Sequence, residues 1–105
     1  MQFDLLCLDA GRTVVAVDVL RAVSMDDACG FLDRLGDFHG FFRSYRDREL
    51  YGVLCGVRTA DHAARFAVDQ GVFVCSSLSE EDPLRVINPP GFVPRIWHAR
   101  DAGGR

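Results

Sequence analysis

Two aspartates pose the first chemical question. Asp18 stands inside TVVAVDVL (13–20), a run that is otherwise apolar and rich in the β-branched residues that favour strands. A carboxylate in an apolar strand is costly unless a cation, a metal ion or a hydrogen-bond donor meets it. Upstream, QFDLLCLD (2–9) is also strand-like, and Gly11 in the following AGR marks a turn. Two strands joined by so short a turn read as a β-hairpin. If Leu8 lies opposite Val14, Asp4 lies opposite Asp18, and strand alternation puts both carboxylates on one face. Like charges in that position destabilise the pair unless something neutralises them. A shared metal ion is one solution. Arginine partners, or solvation at a sheet edge, are the other.

Arg43, Arg46 and Arg48 crowd the segment RSYRDRE (43–49) and could contact phosphates. Asp47 and Glu49 offer them local partners, which would make the segment an ordinary solvated loop. His39 and His62 fall in helical stretches and read as surface or half-buried residues rather than catalysts. His98 lies in the terminal stretch. Cys7, Cys29, Cys55 and Cys75 form no CxxC and no Cys/His pair at zinc-ligand spacing. Three of them fall in expected strands, where a reduced cysteine acts as a small buried hydrophobe. No Ser/His/Asp order and no phosphate-cradling glycine loop occurs.

The chain of 105 residues suits one domain with one core. All 12 basic residues are arginine, and the excess of Asp over Glu points the same way, to GC-rich coding. Any chemistry that needs a lysine ammonium is therefore closed to this chain. The net charge of −3 argues against tight non-specific nucleic-acid binding while leaving room for a local basic patch. No run reaches the roughly 18 apolar residues of a membrane helix. The start MQFDLLCLDAGR lacks the positive region and cleavage site of a signal peptide, so a cytoplasmic protein is expected.

The remaining elements follow from periodicity. SMDDACGFLDRLGDFHGFFRSY (24–45) predicts a helix capped by Ser24, with Asp26 and Asp27 in its first turn. Ala28, Phe31, Leu32, Leu35, Phe38 and Phe42 form its apolar face. LYGVLCGV (50–57) reads as a central strand, and TADHAARFAVDQG (59–71) as a short helix with Thr59 as N-cap and Gly71 as its stop. VFVCSS (72–77) and the edge segment PLRVIN (83–88) are further strands. The turn PPG leads into FVPRIW (92–97), which packs back with Trp97 closing the core. The expected order is ββαβαββ over residues 1–97, with one parallel crossover from 50–57 to 72–77 and a disordered tail at 98–105. That order makes an α/β domain of three layers.

Read in sequence, QFDLL, VVAVDVL, SMDDACGFLDRL, FHGFFRSYRDRELYGVLCGV, HAARFAVDQGVFVC and LRVINPPGFVPRIW span roughly residues 2–97. Their order and spacing resemble the restriction-endonuclease-like nuclease fold, the PD-(D/E)xK superfamily, and more narrowly a set of prokaryotic proteins with such a domain at their C-terminus. The resemblance implies a central mixed β-sheet flanked by helices, with Asp4 and Asp18 holding Mg²⁺ or Mn²⁺ for hydrolysis of DNA. Such a cation takes carboxylate oxygens, acidifies a bound water and neutralises charge on the phosphate. The family places a lysine two residues after the second acid, on the same strand face. Here that position is Leu20, which carries no charge and donates nothing. Arg21 points to the opposite face of a strand, and a guanidinium cannot act as a base. The family's helix upstream of the first strand is also missing, which would leave a sheet face bare and favour a homo-oligomer or a partner chain covering the sheet. Three functions stay open: a degenerate domain acting in binding or assembly, an active Mg²⁺- or Mn²⁺-dependent DNA endonuclease, and a small homodimerising domain.

Overall fold

A computed structural model describes residues 1–77, 79 and 81–99. The expected tail beyond Ala99, and Leu78 and Glu80 of the expected turn before β5, lie outside the described residues. The elements are β1 (Leu5–Leu8), β2 (Thr13–Val23), α1 (Met25–Phe41), a 3₁₀ turn (Arg43–Tyr45), β3 (Glu49–Thr59), α2 (Asp61–Asp69), β4 (Phe73–Ser76) and β5 (Arg85–Val86). They form one mixed sheet in the order β1-β2-β3-β4-β5. The outer pairs β1/β2 and β4/β5 are antiparallel, and the inner pairs β2/β3 and β3/β4 are parallel.

The hairpin turn is built by Asp9. Its carboxylate accepts the N–H groups of Gly11, Arg12 and Thr13 at 3.0, 2.9 and 2.9 Å. Those donors hold its pKa well below the usual carboxylate range. The closed turn sets Leu8 opposite Val14 and Leu5 opposite Val17, the register suggested by the sequence.

Ser24 starts α1 with a capping box. Its hydroxyl accepts the Asp27 N–H, and the Asp27 carboxylate accepts the Ser24 N–H. Ala28, Phe31, Leu35 and Phe38 are buried along one stripe. The helix ends at Phe41 instead of running to residue 45. Phe42 leaves helical geometry (φ −100°, ψ 76°), and the chain tightens into the 3₁₀ turn, a common way for a helix to finish. Thr59 is the last residue of β3, paired with Val23, so Ala60 and not Thr59 takes the N-cap position of α2 and supplies no side-chain cap. Gly71 closes α2 at φ +88°, and a Cβ there would lie 2.3 Å from the Arg95 Cβ. Glycine is required twice over, by the left-handed backbone and by the returning chain.

Two parallel crossovers are present rather than one, β2–α1–β3 and β3–α2–β4, each joining neighbouring strands. Crossovers of one hand that step in one direction put their helices on one side of the sheet. Val14, Ala16, Leu50, Leu54 and Val74, all of one strand face, share a single core with Phe31, Leu35 and Phe38 of α1 and Ala64 and Ala67 of α2. Gly52 lets α1 sit close, since a Cβ there would meet Leu35 Cδ1 at 2.6 Å. Among the described residues, sheet and helices therefore make two layers, not the expected three. The returning segment pairs Trp97 with Leu50 through reciprocal hydrogen bonds of 2.9 and 3.0 Å, and Trp97 closes the core at 2% exposure.

The opposite sheet face is apolar. Leu5, Val17, Val53 and Phe73 lie side by side across four strands. Val19, Cys55, Cys75 and Val86 form a second row, and Cys7, Val15 and Tyr51 a third. Neither described helix covers these rows. Phe92 packs edge-on against Phe73 with ring centres 5.1 Å apart, while Leu5, Val19 and Val86 stay 54%, 52% and 61% exposed.

Candidate functional site

Asp18 faces the helix layer beside Leu54 and is only 5% exposed. Its Oδ1 accepts the Asp4 N–H at 3.2 Å. In return, Asp4 Oδ2 accepts the Val19 N–H at 2.8 Å. Each acid thus ties down the other's strand. The cation that meets Asp18 is Arg34, whose Nη2 donates to Asp18 Oδ2 at 2.5 Å. Arg34 also donates to the Gln2 carbonyl at 2.7 Å and lies over the rings of Phe3 and Phe31, 5.1 and 5.6 Å from their centres. A half-buried guanidinium framed by two aromatic faces is held in place by cation–π attraction as well as by its acid.

Sequence reasoning did not single out Arg34. The signal was available in part, because a buried acid needs a cation and Arg34 is the only arginine of α1. Leu20, at the position where the family places lysine, is partly buried and packs against the core. Arg21 is exposed.

These donors can be tested against a hard divalent cation, which takes a shell of oxygen ligands. Asp18 gives one oxygen to Arg34 and one to the Asp4 N–H, and Asp4 gives one to Val19. A guanidinium stands against the carboxylate that a metal ion would use. As arranged, Asp4 and Asp18 do not fit Mg²⁺ or Mn²⁺. Among the described residues, no group of three or more His, Cys, Asp or Glu side chains converges as metal ligands would.

The arginine triplet divides. Arg48 turns inward, and its Nη1 donates to Asp9 Oδ1 at 3.1 Å, to the Asp9 carbonyl at 3.1 Å and to the Thr13 carbonyl at 2.8 Å. It clamps the entry of β3 to the hairpin turn, and its acid is Asp9 rather than Asp47 or Glu49. Arg43 and Arg46 are exposed and line a cavity of about 210 Å³ together with His39, Gly40 and Ala99. His39 is buried, against the expectation of a surface or half-buried residue, because it lies on the inner border of α1 with its ring edge-on to Phe38. His62 is exposed.

A larger cavity, about 570 Å³, opens at the carboxyl ends of β3 and β4 and is lined by Arg58, Asp61, Ser76, Asp82 and Arg85 among others. Open α/β sheets commonly hold ligands at this end, and among the described residues two arginines and two aspartates line it. All four cysteines are free thiols. Cys7 is exposed, so it is not the buried hydrophobe expected of it. Cys55 and Cys75 are cross-strand neighbours, and burial, with Cys75 beside it, pushes the Cys55 thiol up to about 11. Among the described residues no helix is long and apolar enough to cross a membrane.

Comparison with protein-family models, with curated proteins and with solved structures finds no match. The nuclease-like reading therefore rests on the sequence motifs alone.

Proposed function

We propose that this chain is a nuclease-like domain that has lost phosphodiester hydrolysis and acts in binding or assembly. The observation that carries this reading is the Arg34–Asp18 ion pair beside Leu20. A nuclease of the family would need Asp18 free for a metal ion and a lysine two residues on. Here a guanidinium neutralises the acid, and it cannot take the proton of a water at neutral pH. The pair contributes to holding α1 on the hairpin, a structural use of a catalytic position. An active endonuclease would require Arg34 to leave Asp18 before any metal could enter.

The apolar sheet face supports the assembly half of the proposal. Its three rows contain no charged residue. A second copy of the chain can meet it sheet to sheet, at the roughly 10 Å spacing of packed sheets, without burying a charge.

Supercoiled plasmid with Mn²⁺ or Mg²⁺ tests the loss of hydrolysis, using the unmodified protein, Asp18→Ala, Leu20→Lys and Leu20→Lys with Arg34→Ala. The unmodified protein should leave the plasmid intact. Cleavage by it that Asp18→Ala abolishes would overturn the proposal, and cleavage gained only with Leu20→Lys would support it. Sedimentation of the unmodified protein and of Val17→Lys tests assembly. A dimer that Val17→Lys dissociates is expected, and a monomer at every concentration counts against a second copy.

A further inference from the structure

We propose that Cys55 and Cys75 form an oxidisable dithiol, which hydrogen peroxide closes into a disulfide that locks the β3–α2–β4 crossover. The argument starts from register. Cys55 of β3 pairs directly with Cys75 of β4, and the two strands run parallel. Directly paired residues of neighbouring strands point to one face. Here it is the open face, because the preceding pair, Leu54 and Val74, is buried in the core on the other. Neighbouring strands lie about 4.8 Å apart, inside the roughly 4.4–6.8 Å between Cα atoms that a disulfide spans. Cys75 acts on the Cys55 thiol both as a charge and as a hydrogen-bond partner, so the two sulfurs are adjacent. The other cysteines stand elsewhere. Cys7 is on β1, with β2 between it and Cys55, and Cys29 is exposed on α1.

Access to the pair is unequal. Cys55 is 7% exposed, whereas Cys75 is half-buried. A small oxidant therefore meets Cys75 first. The Cys75 thiolate attacks one oxygen of the peroxide, the O–O bond breaks and hydroxide leaves, which gives the sulfenic acid. Cys55 then loses its proton and its Sγ attacks the Cys75 Sγ. The S–O bond breaks and water leaves. Two thiols and one peroxide become one disulfide and two waters. The Cys55 thiolate is scarce at neutral pH, since the thiol is pushed up to about 11. Contact with the sulfenic acid replaces an encounter from solution and offsets that scarcity.

The closed ring runs from residue 55 to residue 75 and contains all of α2 (Asp61–Asp69). A cross-link over such a loop restricts the unfolded chain and so stabilises the folded one. The pair shares no residue with Asp4, Asp18 or Arg34, so it stands independently of the nuclease-like reading. It does lie on the apolar face that a second copy would cover, and the test separates the two.

The whole chain and Val17→Lys, which keeps that face open, are treated with millimolar hydrogen peroxide under native conditions and digested with trypsin. Cleavage after arginine puts the four cysteines in four different peptides, Cys55 in 49–58 and Cys75 in 66–85. Mass spectrometry should find these two peptides linked, two hydrogens lighter than their sum and separated by dithiothreitol. In Cys55→Ser the Cys75 sulfenic acid meets no thiol and should pass on to sulfinic acid. The linked chain should melt about 10 °C or more above the reduced one. A link formed in Val17→Lys alone supports the proposal, with a second copy as the shield. No link in either protein, a link formed only in urea, as much Cys75 sulfinic acid with Cys55 as without it, or a linked chain that melts no higher than the reduced one each overturns it.

Discussion

Replacing Arg34 by methionine isolates its ion pair with Asp18. Methionine keeps the reach of the side chain and can still touch Phe3 and Phe31 through its sulfur, but it removes the guanidinium. Asp18, 5% exposed, is then left with the Asp4 N–H as its donor. Stranding one charge of a buried pair costs about 3–5 kcal/mol. The Arg34 side chain is 33% exposed, so water reaches its end of the pair and screening lowers the figure to about 2–3 kcal/mol. A domain of this size loses about 4–8 °C of melting temperature per kcal/mol, so the midpoint should fall by about 10–20 °C. Urea titration and a thermal melt measure both quantities. The double variant Asp18→Asn with Arg34→Met has no charge to strand, and it should recover at least half of the loss. Stability of Arg34→Met within about 0.5 kcal/mol of the parent, or a double variant no better than the single one, would refute the reasoning. Either result would mean that solvent, not Arg34, neutralises Asp18.

Other expectations follow from the same geometry. Asp27→Ala should cost about 1 kcal/mol at neutral pH by opening the capping box. The Ser24 N–H and hydroxyl hold the Asp27 pKa below its ordinary value, so the charged form favours the fold. Its contribution is full above the unfolded-chain pKa and is lost as pH falls through the lower folded value, so parent and variant should converge in acid melts. Gly71→Ala should destabilise by more than about 1 kcal/mol, combining left-handed strain with the approach of Arg95, and a urea midpoint unchanged from the parent would contradict it. With the Cys55 thiol at about 11 and the residue buried, alkylation at pH 8 should label Cys7 and Cys29 first and reach Cys55 only on unfolding, which mass spectrometry resolves peptide by peptide.

Local features were legible in the sequence. The β-branched run at 13–20, the turn at Gly11 and strand alternation placed Asp4 opposite Asp18. Ser24 with Asp27 marked the start of α1, and the spacing of Phe31, Leu35 and Phe38 marked its buried stripe. The absence of lysine, with Leu20 two residues past Asp18, was written in the composition and in one position. These features depend on groups only a few residues apart, or on two strands joined by a tight turn. Short-range geometry constrains them before the chain collapses.

What lies across a gap was decided only when the elements packed. Arg34 meets Asp18 because α1 docks on the hairpin through Phe3 and Phe31. Arg48 finds Asp9 because β3 pairs parallel to β2 and brings residue 48 beside the turn. His39 is buried because the chain turns out of α1 at Phe42 and brings the Arg48 carbonyl back to its Nε2. Both helices lie on one face because the two crossovers step the same way along the sheet. Periodicity states which side of an element is apolar. It does not state which other element will cover that side, and the partners of Asp18, Asp9 and His39 depend on that second fact.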